Sequence, residues 1–138
     1  MEDFSEVDYG DWSGRRLEEL RKLPEWECVQ NSPQDMVFPG GEAQHDAWLR
    51  TRRGVNSVLD ELCEHSSDGV AVIVTHGDII KMAVADALGL PLQNFQRTAV
   101  APGSLTTIDY SGAIPVLTAL SVTPAGKTGQ AGALGGGA

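Results

Sequence analysis

His76 stands where a strand-like run gives way to a helix-like one, in "VIVTHGDII" at residues 72–80. Open α/β sheets place ligands beyond the carboxyl ends of their strands. The first turn of a helix adds unpaired N–H groups and a partial positive charge that favour phosphate. A histidine at this point suits two tasks, holding a phosphoryl oxygen and shuttling a proton. Gly77 beside it lets backbone approach a ligand closely. The same tripeptide also suits a plain turn whose histidine hydrogen-bonds locally, so the rest of the chain must decide.

Other reactive residue types make weaker patterns. Ser104 in "PGSLT" lacks the G-x-S-x-G elbow of a serine hydrolase and reads as a turn into a strand. Cys28 with His45 or His65 has no zinc spacing, and neither histidine follows a strand. Both are expected to be structural or solvent-facing. Arg15, Arg16, Arg52, Arg53 and Arg97 read as solvated charges, and Trp12 as a packed residue.

The elements that must position His76 follow from periodicity. Residues 13–23 predict a short helix with Ser13 as N-cap and Pro24 after its stop. Three prolines and Gly40-Gly41 make residues 24–41 a loop. A long helix is expected over about 42–65, where Val55, Val58, Leu59 and Leu62 repeat at helical spacing. Gly54 within it costs about 1 kcal/mol against alanine. "GVAVIVT" (69–75) suits a strand buried on both faces. A second helix over 78–88 places Ile79, Met82, Ala83 and Ala87 on one face, with Gly89 at C′. Residues 104–110 and 115–121 predict a hairpin turning at Ser111-Gly112. Together these elements predict an α/β domain over 1–121. The Gly/Ala-rich residues 122–138 form a tail with little to bury, expected to be disordered.

Bulk numbers narrow the partners. The chain has 138 residues, 41% of them hydrophobic, enough for one domain with a core. Its net charge of −9 argues against nucleic acid or an anionic membrane surface. No apolar run approaches the roughly 20 residues of a membrane span. Two cysteines without a CxxC, and no signal peptide at the start, make a reduced, cytoplasmic protein the default.

Four motifs in order carry a resemblance: "FSEVDYGDWSG", "FPGGE", "THGD" and "APGSLTTIDY". In this order and at these distances the chain resembles the histidine phosphatase superfamily, the phosphoglycerate mutase-like proteins, over roughly residues 4–121. It looks most like a small bacterial branch of phosphomutases or phosphatases. The resemblance implies a three-layer sheet flanked by helices, and phosphoryl transfer through a phosphohistidine without metal or cofactor. The substrate would be a phosphorylated small molecule. His76 would be the second histidine of the site, holding phosphoryl oxygens with Gly77. Glu6 would be the acid that protonates the leaving oxygen, with Asp8 a weaker candidate. The chemistry agrees, because an alkoxide leaves poorly without a proton and a phosphoryl group needs pre-placed positive charge. Read without the family, Glu6 is simply an exposed acid in an acidic segment.

The family pattern opens with a strand ending in Arg-His-Gly, which supplies the nucleophile. That tripeptide is absent here. The chain is therefore expected to be the carboxyl-terminal portion of such a domain, truncated at its N-terminus. Two other readings stand beside the enzyme: a non-catalytic module that binds a phospho-ligand or partner, and an inactive gene fragment. By resemblance, the strand at 70–75 lacks both neighbours. Either it re-pairs, for instance with 104–110, or another chain fills the gap as a homo-oligomer or a strand-completing partner. Ala43, where the family commonly has serine, leaves the long helix without a hydroxyl cap. Glu42 and Arg50 suit either a pair near the site or an ordinary surface salt bridge.

Overall fold

The computed structural model describes residues 1–66 and 68–124. Helix α1 is Leu17–Leu20, α2 is Glu25–Asn31, α3 is Gln44–His65 and α4 is Gly77–Ala87. Strands β1 (Leu105–Asp109) and β2 (Val116–Val122) form an antiparallel pair. Short 3-10 turns occupy Glu2–Phe4, Gly10–Trp12, Pro33–Asp35 and Leu92–Arg97. The fold is α/β, with the expected long helix, second helix and hairpin in place. Residues 125–138, most of the expected tail, lie outside the described residues.

Two helices differ from expectation. The region 13–23 yields only the four residues of α1, which starts after Arg16 and not at Ser13. Residues 25–31, expected as loop, form α2 with Pro24 at its N-cap. Proline lacks only an N–H that a first turn leaves unpaired, so it starts this helix without cost. Val29 at 8% exposure anchors α2 in the core.

Helix α3 buries a different face from the one its large residues predict. Gln44, Ala47, Thr51 and Gly54 are the buried positions, while Val55, Val58 and Leu62 are half-buried. The small row admits the N-terminal segment. A Cβ on Gly54 would meet the Phe4 ring at 2.9 Å and the Asp3 Cβ at 2.8 Å. That close approach explains a glycine in mid-helix despite its entropic cost. Helix α4 packs across α3 and buries Ile79, Met82, Val84 and Ala85 at 0–1% exposure. It ends in a Schellman motif: Leu90 N–H donates to the Ala85 carbonyl, and Gly89 N–H to Asp86. Gly89 takes a φ of +64° there, the C′ geometry that glycine adopts most easily.

The expected strand at 70–75 is not a strand. These residues have no helix, turn or bend, and among the described residues 69–75 make no backbone–backbone hydrogen bond. Val70, Val72 and Val74 are 86%, 81% and 93% exposed. They do not re-pair with β1, whose partner is β2. An apolar run becomes a strand only when a neighbour supplies the ladder, and no described segment does so here.

Candidate functional site

Two links bring residues 4–9 against residues 75–78, and a third ties the same opening segment to α3. The Thr75 hydroxyl donates to the Phe4 carbonyl at 2.6 Å. The Tyr9 hydroxyl donates to Asp78 Oδ2 at 3.1 Å. Arg50 of α3 supplies the third. Its Nε and one terminal nitrogen hold both carboxylate oxygens of Glu42, at 3.0 and 2.6 Å. Its terminal nitrogens also donate to the carbonyls of Asp3, Ser5 and Glu6 at 3.0, 2.8 and 3.1 Å, with a longer contact to Glu2 at 3.4 Å. A guanidinium has five N–H groups, so all of them have protein acceptors. Glu42 completes the clamp by accepting from the Asp8 amide at 2.9 Å. Of the two sequence readings of this pair, the one near the site is the one the geometry matches.

Backbone crosses backbone beneath this clamp. Asp11 N–H donates to Pro39 and Glu42 N–H to Asp8, at 2.8 and 3.0 Å. A Cβ on Gly10 would lie 2.2 Å from the Pro39 carbonyl, and one on Gly41 would lie 2.2 Å from the Asp8 carbonyl. The two glycine motifs noted in the sequence are thus one crossing. Trp12 lies at its edge, packed against Phe38 and stacked on Trp26.

The result is that Glu6, His76 and Gly77 share one place. His76 Nδ1 lies 3.9 Å from Glu6 Oε2, which is an ion-pair distance if the imidazole is protonated. His76 is the N-cap residue of α4, makes no side-chain cap bond and remains exposed. Among the described residues, the N–H groups of Gly77, Asp78 and Ile79 have no backbone acceptor. A Cβ on Gly77 would meet nothing within 4 Å, so the approach to this helix start is open.

Glu6 is largely sheltered. Burial pushes its carboxyl above the ordinary range, and the nearby Asp78 charge pushes the same way. The Val7 amide, His76 and Lys81 oppose this without cancelling it. A carboxyl raised in this way keeps a proton to higher pH, as a general acid requires. Asp8 is two residues on and turned elsewhere, accepting from the Gly10 amide at 3.0 Å.

Behind the site lies a buried polar network that the sequence reading missed. Lys81 Nζ donates to Asp78 Oδ1 at 3.1 Å and to Gln96 Oε1 at 3.2 Å. Burial and Asp78 together hold the Tyr9 phenol well above its ordinary range, so it remains a donor. The signal was an Asp78–Lys81 pair at i,i+3 on an otherwise apolar helix face. Tyr9→Phe removes one hydrogen bond to a buried carboxylate and should destabilise the fold by about 1.5 kcal/mol. Urea unfolding of the variant, monitored by far-UV circular dichroism, checks this. An unchanged midpoint would show that the Tyr9–Asp78 bond contributes nothing.

Of the remaining candidates, His65 lines the same groove as His76, and the others make contacts of their own. His45 and His65 are exposed on α3, and His65 Nδ1 bonds the Glu61 carbonyl. Arg52 pairs with Asp86 and Arg53 with Asp3. The Ser104 hydroxyl donates to the Ala101 carbonyl as a turn residue. Cys28 donates weakly to the Ser32 carbonyl, and burial with Asp35 pushes its thiol up, which suits an unreactive cysteine.

Comparison with known proteins adds the following. The family model for the histidine phosphatase superfamily (branch 1) matches residues 1–123. Among solved structures, the chain is similar to the alpha-ribazole phosphatase from Shigella flexneri, at 21% identity and a TM-score of 0.72. That match covers 88% of this chain and 59% of the other. It is also similar to YhfR from Bacillus stearothermophilus, at 24% identity and a TM-score of 0.75, with the same coverage of 88% and 59%. A phosphoserine phosphatase mutant from Entamoeba histolytica, in complex with phosphoserine, matches at 22% identity and a TM-score of 0.70, covering 90% and 61%. At these identities the likeness is one of fold. The chain spans 59–61% of the length of these structures. No curated protein sequence matches it. No helix among the described residues is long and apolar enough to cross a membrane.

Proposed function

Because this chain belongs to the histidine phosphatase superfamily, branch 1, we propose that it carries part of a phosphoryl-transfer site for a phosphorylated small molecule. The reaction class is phosphomonoester hydrolysis or phosphomutase chemistry through a phosphohistidine, in the cytoplasm and without metal or cofactor. Glu6 protonates the leaving oxygen, and His76 with the Gly77 helix start contacts the phosphoryl oxygens. The observation that carries this reading is the meeting of a raised Glu6 carboxyl with His76, 3.9 Å apart, at an open helix N-terminus. The nucleophile is not among the three histidines. His45 and His65 belong to α3 and follow no strand, and by family resemblance His76 faces the phosphoryl oxygens and not the line of attack. In-line placement is worth several kcal/mol, which His76 does not recover from that position.

One observation favours a second reading, a non-catalytic phospho-ligand module. The cations nearest the site are already engaged, Arg50 by Glu42 and four carbonyls and Lys81 by Asp78. Such a site has weak means to stabilise transferring charge.

Both readings predict that the purified 138-residue chain hydrolyses p-nitrophenyl phosphate no faster than buffer, and that His76→Ala changes nothing. Turnover above background that vanishes in His76→Ala would overturn this and make His76 the nucleophile. Inorganic phosphate, titrated into the 15N-labelled chain, should move the Gly77 and Asp78 amide signals. Unmoved signals at saturating phosphate would remove His76 and Gly77 from the phosphate-contact role.

A further inference from the structure

Asp78 is the second residue of α4, directly after Gly77, and its side chain is only 4% exposed. A carboxylate in a first turn suits the helix dipole, but it needs no burial to do so. Burial strips its hydration, so the fold must supply partners. Each oxygen has one, Lys81 Nζ at 3.1 Å on Oδ1 and the Tyr9 hydroxyl at 3.1 Å on Oδ2. Lys81 is fixed in turn by Gln96 at 3.2 Å, and its side chain is 11% exposed. An asparagine could meet Lys81 with its carbonyl and Tyr9 with its amide group. The tie between segments therefore does not by itself require a charge. The sign of that charge is also unfavourable beside a phosphate site, where it repels the ligand.

Glu6 lies three residues before Tyr9, so the hydroxyl that holds Asp78 ties the segment of the acid to the same turn. We propose that Asp78 is a positioning residue that acts through Glu6: its fixed negative charge holds the proton on the Glu6 carboxyl, ready for a leaving oxygen. The inference rests on the phosphoryl-transfer reading, in which Glu6 is the proton donor. Two carboxylates held close with unequal partners divide into one that carries the charge and one that carries the proton. Asp78 has an ammonium and a hydroxyl to stabilise a charge. Glu6 has the Val7 amide at 3.0 Å on Oε1 and the His76 imidazole at 3.9 Å from Oε2. The charged or titratable groups near Glu6 are His76, Asp78 and Lys81 on the α4 side, Arg50 from α3 and Tyr9 from its own segment. Burial is the largest influence raising the Glu6 carboxyl. The Asp78 charge adds to it, and Lys81 opposes with a smaller effect than that of Asp78.

The Glu6 side-chain carboxyl carbon, followed by NMR in the 13C-labelled full chain as pH is lowered, reads this directly. Asp78→Asn should move its titration midpoint down, toward the ordinary carboxylate range. Tyr9→Phe keeps the Asp78–Lys81 pair and its charge, so it should leave the midpoint close to that of wild type although it weakens the fold. A purely structural tie would move the midpoint in both variants or in neither. Asp78→Asn combined with Lys81→Met removes both charges, which a buried pair tolerates better than loss of one partner. Its midpoint should fall by less than in Asp78→Asn, because the opposing Lys81 charge is lost as well. This double variant carries the test where Asp78→Asn alone fails to fold, which far-UV circular dichroism checks. An unchanged Glu6 midpoint in the folded charge-removing variants would overturn the proposal, and so would equal falls in Asp78→Asn and Tyr9→Phe. Phosphate titrated into the same samples separates this from the reading beneath it. Gly77 signals that still move beside an unchanged Glu6 midpoint overturn the role of Asp78 alone.

Discussion

Arg50→Ala should cost about 3 kcal/mol of stability, the scale seen when one partner of a sheltered, hydrogen-bonded ion pair is removed. The side chains of Arg50 and Glu42 are only 15% and 21% exposed. Truncation leaves the Glu42 carboxylate with the Asp8 amide alone, and the carbonyls of Asp3, Ser5 and Glu6 without the donor Arg50 supplied. Arg50→Lys should recover little, because an ammonium cannot present the planar fork that reaches two carboxylate oxygens and several carbonyls together. Acid titration gives the same clamp a second readout. Burial alone would raise the Glu42 carboxyl. The Arg50 hydrogen bonds, the Asp8 amide and the Arg50 charge outweigh it and hold the group below its ordinary value. A depressed carboxyl contributes stability that is complete above its unfolded pKa and is lost as pH falls through the folded value. Glu6 has the opposite sign. Its raised carboxyl costs stability at neutral pH, and that cost is relieved as pH falls through its folded value. Wild type should thus hold its stability in mildly acidic buffer and lose it only as the pH falls below the ordinary carboxylate range, where Glu42 takes up its proton. Urea midpoints as a function of pH test this. An acid limb in Arg50→Ala as steep as in wild type would show that the clamp does not cause it.

Gly41→Ala is expected to be nearly as damaging, at roughly 3 kcal/mol, for a single added methyl. The new Cβ would sit 2.2 Å from the Asp8 carbonyl and 2.7 Å from the Gly10 nitrogen, both backbone atoms. Neither can swing aside as a side-chain tip would, so the crossing must open. Opening it breaks the Glu42 N–H to Asp8 bond and withdraws the Glu42 carboxylate from the Asp8 amide. Gly14→Ala is the control. Gly14 has φ +76° but nothing within 4 Å of its would-be Cβ, so only the conformational cost of about 1 kcal/mol applies. Equal midpoints for the two variants would mean that the contact contributes nothing beyond backbone preference.

The sequence was most legible where one local pattern dictates one local structure. Helix α4 and its Gly89 stop were readable because the apolar period, the C′ glycine and the packing all agree. The hairpin was readable from two β-rich runs around Ser111-Gly112. Helix α2 was not, because a proline that marks a break also starts a helix, and only the burial of Val29 decides between them. The run at 69–75 was legible as apolar but not as unpaired, since pairing depends on a neighbour and not on the run. Of the site, His76 and Gly77 announced themselves by their place between a strand-like and a helix-like pattern. Glu6 came only through family resemblance, and the path of its segment is held by Arg50 and Thr75, which are remote in sequence. The Tyr9–Asp78–Lys81 network spans 69 residues from hydroxyl to carboxylate, a distance that no periodicity encodes.

The Arg50 clamp grips the N-terminal segment by its carbonyl oxygens, and every residue type offers the same carbonyl. Positions 2 and 5 are therefore free to drift, provided that the chain keeps its path. Phe4 is fixed by the hollow at Gly54, and position 6 by its placement beside His76. Variation can thus accumulate in the opening residues without displacing the carboxyl among them. A guanidinium forty-four residues from Glu6 carries the constraint in their place. Constancy of position, in this molecule, is inherited through the residue that holds the segment and not through the segment held.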